Sequence, residues 1–229
     1  MTLVGTAVLD NPAWASLRGA HARFAQVVGR AARYDPEVAP FHAVSDPADA
    51  GAWADLRELV GPGAELTLTG DDLVAPPGWT PLGRIGGVQL VDVALRAEPD
   101  PEAVTLTAAD VPEMLDLVGR TKPGPFLPRT VELGTYLGIR RGGALIAMAG
   151  ERLHPPGWTE ISAVCTDPAH RGRGLATRLV RAVAAGIRER GETPMLHTAA
   201  DNAAAIRLYE SLGFRLRRRP TFSHFRAPA

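Results

Sequence analysis

The stretch Arg171-Gly172-Arg173-Gly174-Leu175-Ala176 constrains this chain more than any other. It follows a predicted strand over Thr159–Thr166 and opens a strongly periodic helix. Leu175, Leu179, Val183 and Ile187 form one apolar stripe, with Arg178, Arg181 and Arg188 off it. Two glycines at a strand-to-helix turn let backbone N–H groups crowd around an anion, because no Cβ blocks the approach. The helix N-terminus adds unpaired donors and the positive end of the dipole. The local unit is therefore strand, anion-binding turn, helix. A second strand over Pro194–Thr198 follows. Then comes Asn202-x-x-Ala205-x-x-x-Tyr209-x-x-x-Gly213-Phe214, a short helix with a glycine at its C-terminal end.

The chain has 229 residues, 45% of them apolar, which suffices for a sizeable core. Formal net charge is zero, so nothing draws the whole molecule to nucleic acid or an anionic membrane. One cysteine excludes an intrachain disulfide framework and a Cys-based metal site, and the six histidines lack metal-ligand spacing. No apolar run reaches the roughly 18 residues of a spanning helix. Met1-Thr2-Leu3-Val4 lacks a basic leader, so a cytoplasmic protein is expected.

The polar, proline-rich segment Ala97-Glu98-Pro99-Asp100-Pro101 divides the chain into an N-terminal α/β region, 1–100, and a second domain, 101–229. In the first, residues 13–33 read as a helix, Trp53 to Val60 as a second, and Glu65–Thr69 and Gly87–Leu95 as strands. In the second, Thr107-Ala108-Ala109-Asp110 resembles a capping box ahead of a helix carrying Val111, Met114, Leu115 and Val118. Tyr136–Arg140 and Ala144–Arg152 flank the turn signal Arg141-Gly142-Gly143, giving an antiparallel meander that runs into the Glu160 strand. Phe214–Arg218 and Phe222–Phe225 are expected to pair with each other as closing strands.

The two motifs, in this order and at this spacing, resemble the acyl-CoA signature and the downstream element of the GNAT acetyltransferase superfamily. The resemblance covers roughly Ala103 to the C-terminus. It implies an α/β (α+β) fold: a mixed, mostly antiparallel central sheet flanked by helices. The N-terminal region is then a degenerate GNAT-like half, a substrate lid or a dimerisation module, with the first favoured by element order. The resemblance also implies an N-acyltransferase that moves an acetyl group from acetyl-CoA to an amine by direct attack in a ternary complex, without a metal.

Within that resemblance, Arg171, Gly172, Arg173, Gly174, Leu175, Ala176 and Thr177 hold the pyrophosphate. The preceding strand splays from its neighbour, so backbone groups of Val164, Cys165 and Thr166 meet the pantetheine arm. A backbone N–H near Val164 polarises the thioester. Asn202 contacts CoA, caps its helix, or both. Tyr209 is the candidate acid for the departing thiolate. Glu160 is the candidate base: it begins the strand leading to the cradle and shares a face with Ser162 and Val164 by period-two alternation. Glu151 and Glu132 are weaker candidates. Phe126, Arg129, Thr130 and Tyr136 follow a Pro/Gly loop where the family's acceptor-binding segment lies.

The acceptor stays open between small-molecule and peptide amines, and the protein between monomer and homodimer. Neither nucleic acid nor a membrane is an expected partner. A non-catalytic acyl-CoA-binding regulator is the competing reading. A dinucleotide fingerprint is disfavoured, because the strands ahead of the turn form a meander rather than the start of a βαβ unit.

Overall fold

The computed structural model describes residues 5–229; Met1–Val4, read above for a leader, lie outside the described residues. The elements in chain order are α1 (Pro12–Leu17), β1 (Ala25–Val28), β2 (Ala31–Tyr34), β3 (His42–Val44), α2 (Ala50–Val60), β4 (Glu65–Gly70) and β5 (Thr80–Asp92). Then follow β6 (Val104–Leu106), α3 (Val111–Thr121), β7 (Tyr136–Arg141), β8 (Ala144–Glu151), β9 (Trp158–Thr166), α4 (Leu175–Glu189), β10 (Thr193–Ala199), α5 (Ala203–Leu212), β11 (Phe214–Arg218) and β12 (Thr221–Arg226).

Nine strands form one sheet in the order β4-β12-β5-β10-β9-β8-β7-β6, with β11 also on β5. The sheet runs across the segment 97–101, because β4 and β5 pair with β12, β10 and β11. All the pairs are antiparallel except β9–β10, where the crossover through α4 makes the strands parallel. A mixed, mostly antiparallel sheet with flanking helices is therefore what the motifs implied. β1–β3 form a separate three-stranded sheet.

Strand alternation sorts the core between two faces of the large sheet. Val88, Leu90, Ile161 and Leu196 pack with α4 and α5 on one face. Val91, Met195 and Trp158 pack with α1 and the β1–β2 hairpin on the other. On the β6–β9 side, Tyr136, Met148 and Cys165 pack with Met114 and Leu117 of α3.

Two sequence expectations differ from the structure. Residues 13–33 are not one helix: α1 stops at Leu17, and β1 and β2 form a hairpin. Gly29 takes a left-handed φ of 49° at the turn, and β-branched Val27 and Val28 suit a strand. β11 and β12 do not pair with each other. Both pair with β5, which is long enough to carry β12 along Thr80–Gly86 and β11 along Gln89–Asp92.

Other expectations match. The capping box is present, with Ala109 N–H donating to Thr107 and Thr107 N–H to Asp110, although it opens a 3-10 turn that leads into α3. Gly213 closes α5 at φ 104°, and an added Cβ would lie 2.5 Å from the backbone carbon of Ala94. We expect Gly213→Ala to cost about 2–5 kcal/mol, from left-handed strain plus overlap with immovable backbone. Thermal melting checks this, and an unchanged midpoint would show that the α5–β11 corner relaxes freely.

Candidate active site

A cleft of about 780 Å³ lies where β9 and β10 part. Their ladder holds only over Thr193–Met195 against Trp158–Glu160. Beyond Glu160 the edge of β9 facing β10 has no ladder partner among the described residues. On its other edge β9 pairs with β8, with a bulge between Ser162 and Cys165. Ala163 sits in that bulge at φ 52°, a conformation rare outside glycine. The extra residue shifts the phase of the strand. Val164 therefore packs on the α4 side with Ile161, while Ala163 and Cys165 face α3. The shared face expected for Glu160 and Val164 does not exist, because alternation breaks at the bulge.

At one part of the cleft the turn into α4 lies open. Gly172 and Gly174 have φ of 75° and 71°, and a Cβ at either would meet nothing within 4 Å. Among the described residues, the amides from Gly172 to Thr177 donate to no protein carbonyl; Arg178 N–H is the first donor, to Gly174 O at 3.1 Å. Such a run of free donors at a helix start is suited to a phosphate. Gly172, Gly174, Leu175, Ala176 and Thr177 line the cleft, as does Arg171, whose Nε donates to Thr166 O. Arg173 is exposed and lies outside the cleft wall.

Val164, Cys165, Thr166, Asn202 and Tyr209 all line the same cleft. Thr166 lines the cleft, and its hydroxyl is buried with no partner among the described residues. Asn202 caps α5 by accepting from Ala205 N–H at 3.1 Å. Tyr209 is buried, and burial pushes its phenol up to about 12, with the neighbouring Cys165 adding to the shift. It therefore stays protonated across the neutral range. Burial raises the Cys165 thiol too, so that side chain is a poor nucleophile.

Glu160 does not line the cleft. It is fully buried in the β9 face beneath it. Arg152 grips it with Nε and Nη2 at 2.8 and 2.7 Å, and His197 Nδ1 lies 2.7 Å from its second oxygen. Burial opposes its charge, but Arg152 and His197 outweigh that and hold the carboxyl well below the usual range. Glu160 is thus a fixed negative charge with its lone pairs engaged. His197 is engaged on both nitrogens. Gln89 Nε2 lies 3.0 Å from His197 Nε2 and also donates to Leu9 O, while Gln89 Oε1 accepts from Arg217. Those two outer bonds fix the amide orientation, so the imidazole carries its proton on Nδ1, toward Glu160. Arg152, His197 and Gln89 had no sequence signal. They come from just past the end of β8, from β10 and from β5, and only the sheet joins them.

Phe126, Arg129, Thr130 and Tyr136 lie together but away from the cleft wall. Phe126 and Tyr136 stack edge to face in the core under α3. Thr130 bonds Val38 O and Leu127 N–H, and Arg129 pairs with Asp35 and Glu132. The cleft wall takes the preceding loop instead, Lys122–Pro125. Glu151 is buried against Arg190, and Glu132 is spent on Arg129.

The geometry agrees with the comparisons to known proteins. The FR47-like protein family model matches residues 136–223. The N-alpha-acetyltransferase RimI of Mycobacterium tuberculosis is 38% identical, over 52% of this chain and 85% of that protein. The mycothiol acetyltransferase of Mycobacterium avium is 37% identical, over 32% of this chain and only 27% of that protein. A crystal structure from Novosphingobium aromaticivorans, described as an acetyltransferase from the GNAT family, superposes with a TM-score of 0.87 at 43% identity, covering 97% of this chain and 99% of that one. A GCN5-related N-acetyltransferase from Kribbella flavida shares the fold at TM-score 0.59 and 19% identity, covering 94% and 96%. Sequence, sheet topology and the open turn before α4 converge: the chain belongs to the GNAT family of acetyltransferases.

Proposed function

We propose that the protein transfers an acetyl group from acetyl-CoA to a primary amine by direct attack in a ternary complex. The observation that carries this reading is the unpaired amide run from Gly172 to Thr177, opening onto the same cleft as the parted strands and Tyr209. The amides and Arg171 hold the pyrophosphate. The free edge of β9 receives the polar pantetheine arm. A backbone N–H beside the Ala163–Val164 bulge polarises the thioester carbonyl.

The amine nitrogen bonds to the carbonyl carbon, and the C–S bond breaks with its electron pair left on sulfur. Tyr209 supplies the hydrogen bond that steadies that charge. Its hydroxyl makes no bond to another described residue, so it is free to face the sulfur. A phenol raised to about 12 holds its proton in the resting enzyme and donates when a desolvated sulfur develops charge. Water in the cleft takes the amine proton, because Glu160 and both His197 nitrogens are already engaged. Glu160 in this reading is a positioning residue that holds Arg152 and His197 in the cleft floor.

The test is Tyr209→Phe. The ring and its edge-to-face contact with Phe214 are kept. Turnover should fall about 10²-fold, with acetyl-CoA affinity and melting temperature little changed. A full single-turnover rate would make Tyr209 a packing residue. Absence of thiol release with every amine tried, with acetyl-CoA still bound, would favour a non-catalytic binder.

A further inference from the structure

The cleft is lined by residues of several elements, yet among the described residues no aspartate or glutamate contributes to its wall. Glu160, beneath the cleft, is buried and already neutralised by Arg152. The cationic groups of the wall near the α4 turn, such as Arg171, suit phosphates. The remaining wall sets the apolar Phe41, Ile85 and Phe222 among the polar Thr67, Ser162, His197 and His224, with Lys122 and Arg152 as further cations. Phe41 lies under the Arg152 guanidinium at 4.9 Å, which covers one side of that charge. Ile85 is half exposed on β5. The Phe222 ring crosses β5 at Gly87, where a Cβ would lie 2.6 Å from Cε2, so this glycine is what lets the ring lie across the strand beside His197. At the outer side Thr67 and His224 bond each other at 2.8 Å.

An amine must enter as the free base or lose a proton to water. A second ammonium on the same acceptor would shed hydration with no carboxylate to replace it. An aromatic or apolar substituent gains by leaving water for Phe41, Ile85 and Phe222. From this we infer that the acceptor is a small monoamine carrying an aromatic group, selected by Phe222, Ile85 and Phe41, and that polyamines are rejected. The inference rests on the acetyl-transfer reading above.

The test compares phenethylamine, ethylamine, spermidine and a short peptide with a free N-terminus, by thiol release from acetyl-CoA, with acetyl-CoA binding measured separately by calorimetry. kcat/KM for phenethylamine should exceed that for ethylamine at least tenfold, with spermidine and the peptide below phenethylamine. Phe222→Ala should erase most of the phenethylamine advantage through KM. Ile85→Asp, at an exposed site, should raise spermidine relative to phenethylamine at least tenfold. Equal or better use of spermidine or the peptide by the wild type overturns the inference, as does a phenethylamine preference untouched by Phe222→Ala. If acetyl-CoA binds and none of these amines is acetylated, the acceptor assignment falls while the cofactor reading stands. If acetyl-CoA does not bind, both fall.

Discussion

Glu160→Gln is expected to cost about 3–5 kcal/mol of folding stability, because it leaves the Arg152 guanidinium buried without a counter-charge. The glutamine keeps the shape but cannot receive two charge-assisted bonds from Arg152 and one from His197. Urea denaturation with coincident probes measures this; a change under 1 kcal/mol would show that the triad is worth no more than a surface pair. Activity separates the positioning role from a base role. A carboxylate held well below its usual range does not titrate at neutral pH, so folded Glu160→Gln should keep the shape of the wild-type pH–rate profile between pH 6 and 9. Loss of the acidic limb, where an essential base becomes deprotonated, would return Glu160 to the role of base.

The stability profile carries a second signature of the same residue. The folded Glu160 carboxyl titrates below its unfolded value of about 4.3. Its contribution is therefore present above that pH and lost as pH falls below it. His21 and His42 are buried neutral, with burial lowering each from 6.5 to about 4. The unfolded chain binds more protons than the folded one across that interval, so stability falls as pH drops from about 6.5 toward 4. Glu160→Gln should flatten the slope below about pH 4 and leave the upper, histidine slope in place.

Gly174→Val should lower acetyl-CoA affinity at least tenfold, which corresponds to about 1.4 kcal/mol. Space is not the reason, since a Cβ at Gly174 meets nothing within 4 Å. The reason is φ 71°, where a β-branched residue is strained by about 1–2 kcal/mol. The turn relaxes out of the left-handed region, and the amides from Gly172 to Thr177 cease to converge. Gly143→Val is the control: it has φ 86° and the same open surroundings, but sits in the β7–β8 hairpin turn. It should lose similar stability and keep acetyl-CoA affinity. Calorimetric titration of both variants decides the matter, and undiminished binding by Gly174→Val would remove the cradle from the site.

Much of the fold was legible in the sequence where a signal is local. The glycines at 172 and 174 are needed because the turn demands positive φ, and that demand is written in adjacent residues. The same holds for the α4 stripe, the Thr107–Asp110 capping box, the Arg141-Gly142-Gly143 turn and the Gly213 helix end. Each depends on contacts within a few positions, so residue type and spacing suffice. The long reading of 13–33 as a helix failed because a hairpin and a helix both tolerate scattered apolar residues, and only pairing across Ala25–Tyr34 separates them.

The site divides along the same line. The turn, Asn202 and Tyr209 sit at fixed spacing within one strand–helix–strand–helix segment, and the fold brings them to one cleft. Tertiary structure alone decided the rest. Whether Glu160 is a free base or half of a buried ion pair depends on Arg152 and His197, which lie 8 residues before it and 37 after. The bulge at Ala163, which reverses the face of Val164, is set by register against β8. The part of the wall drawn from Phe41, Ile85 and Phe222, distant in sequence, is joined because β5 pairs with β12 and Phe41 bridges to Thr67 on β4. Charge pairing, register and pocket walls are properties of long-range neighbours, and one-dimensional spacing holds no record of them until the sheet closes.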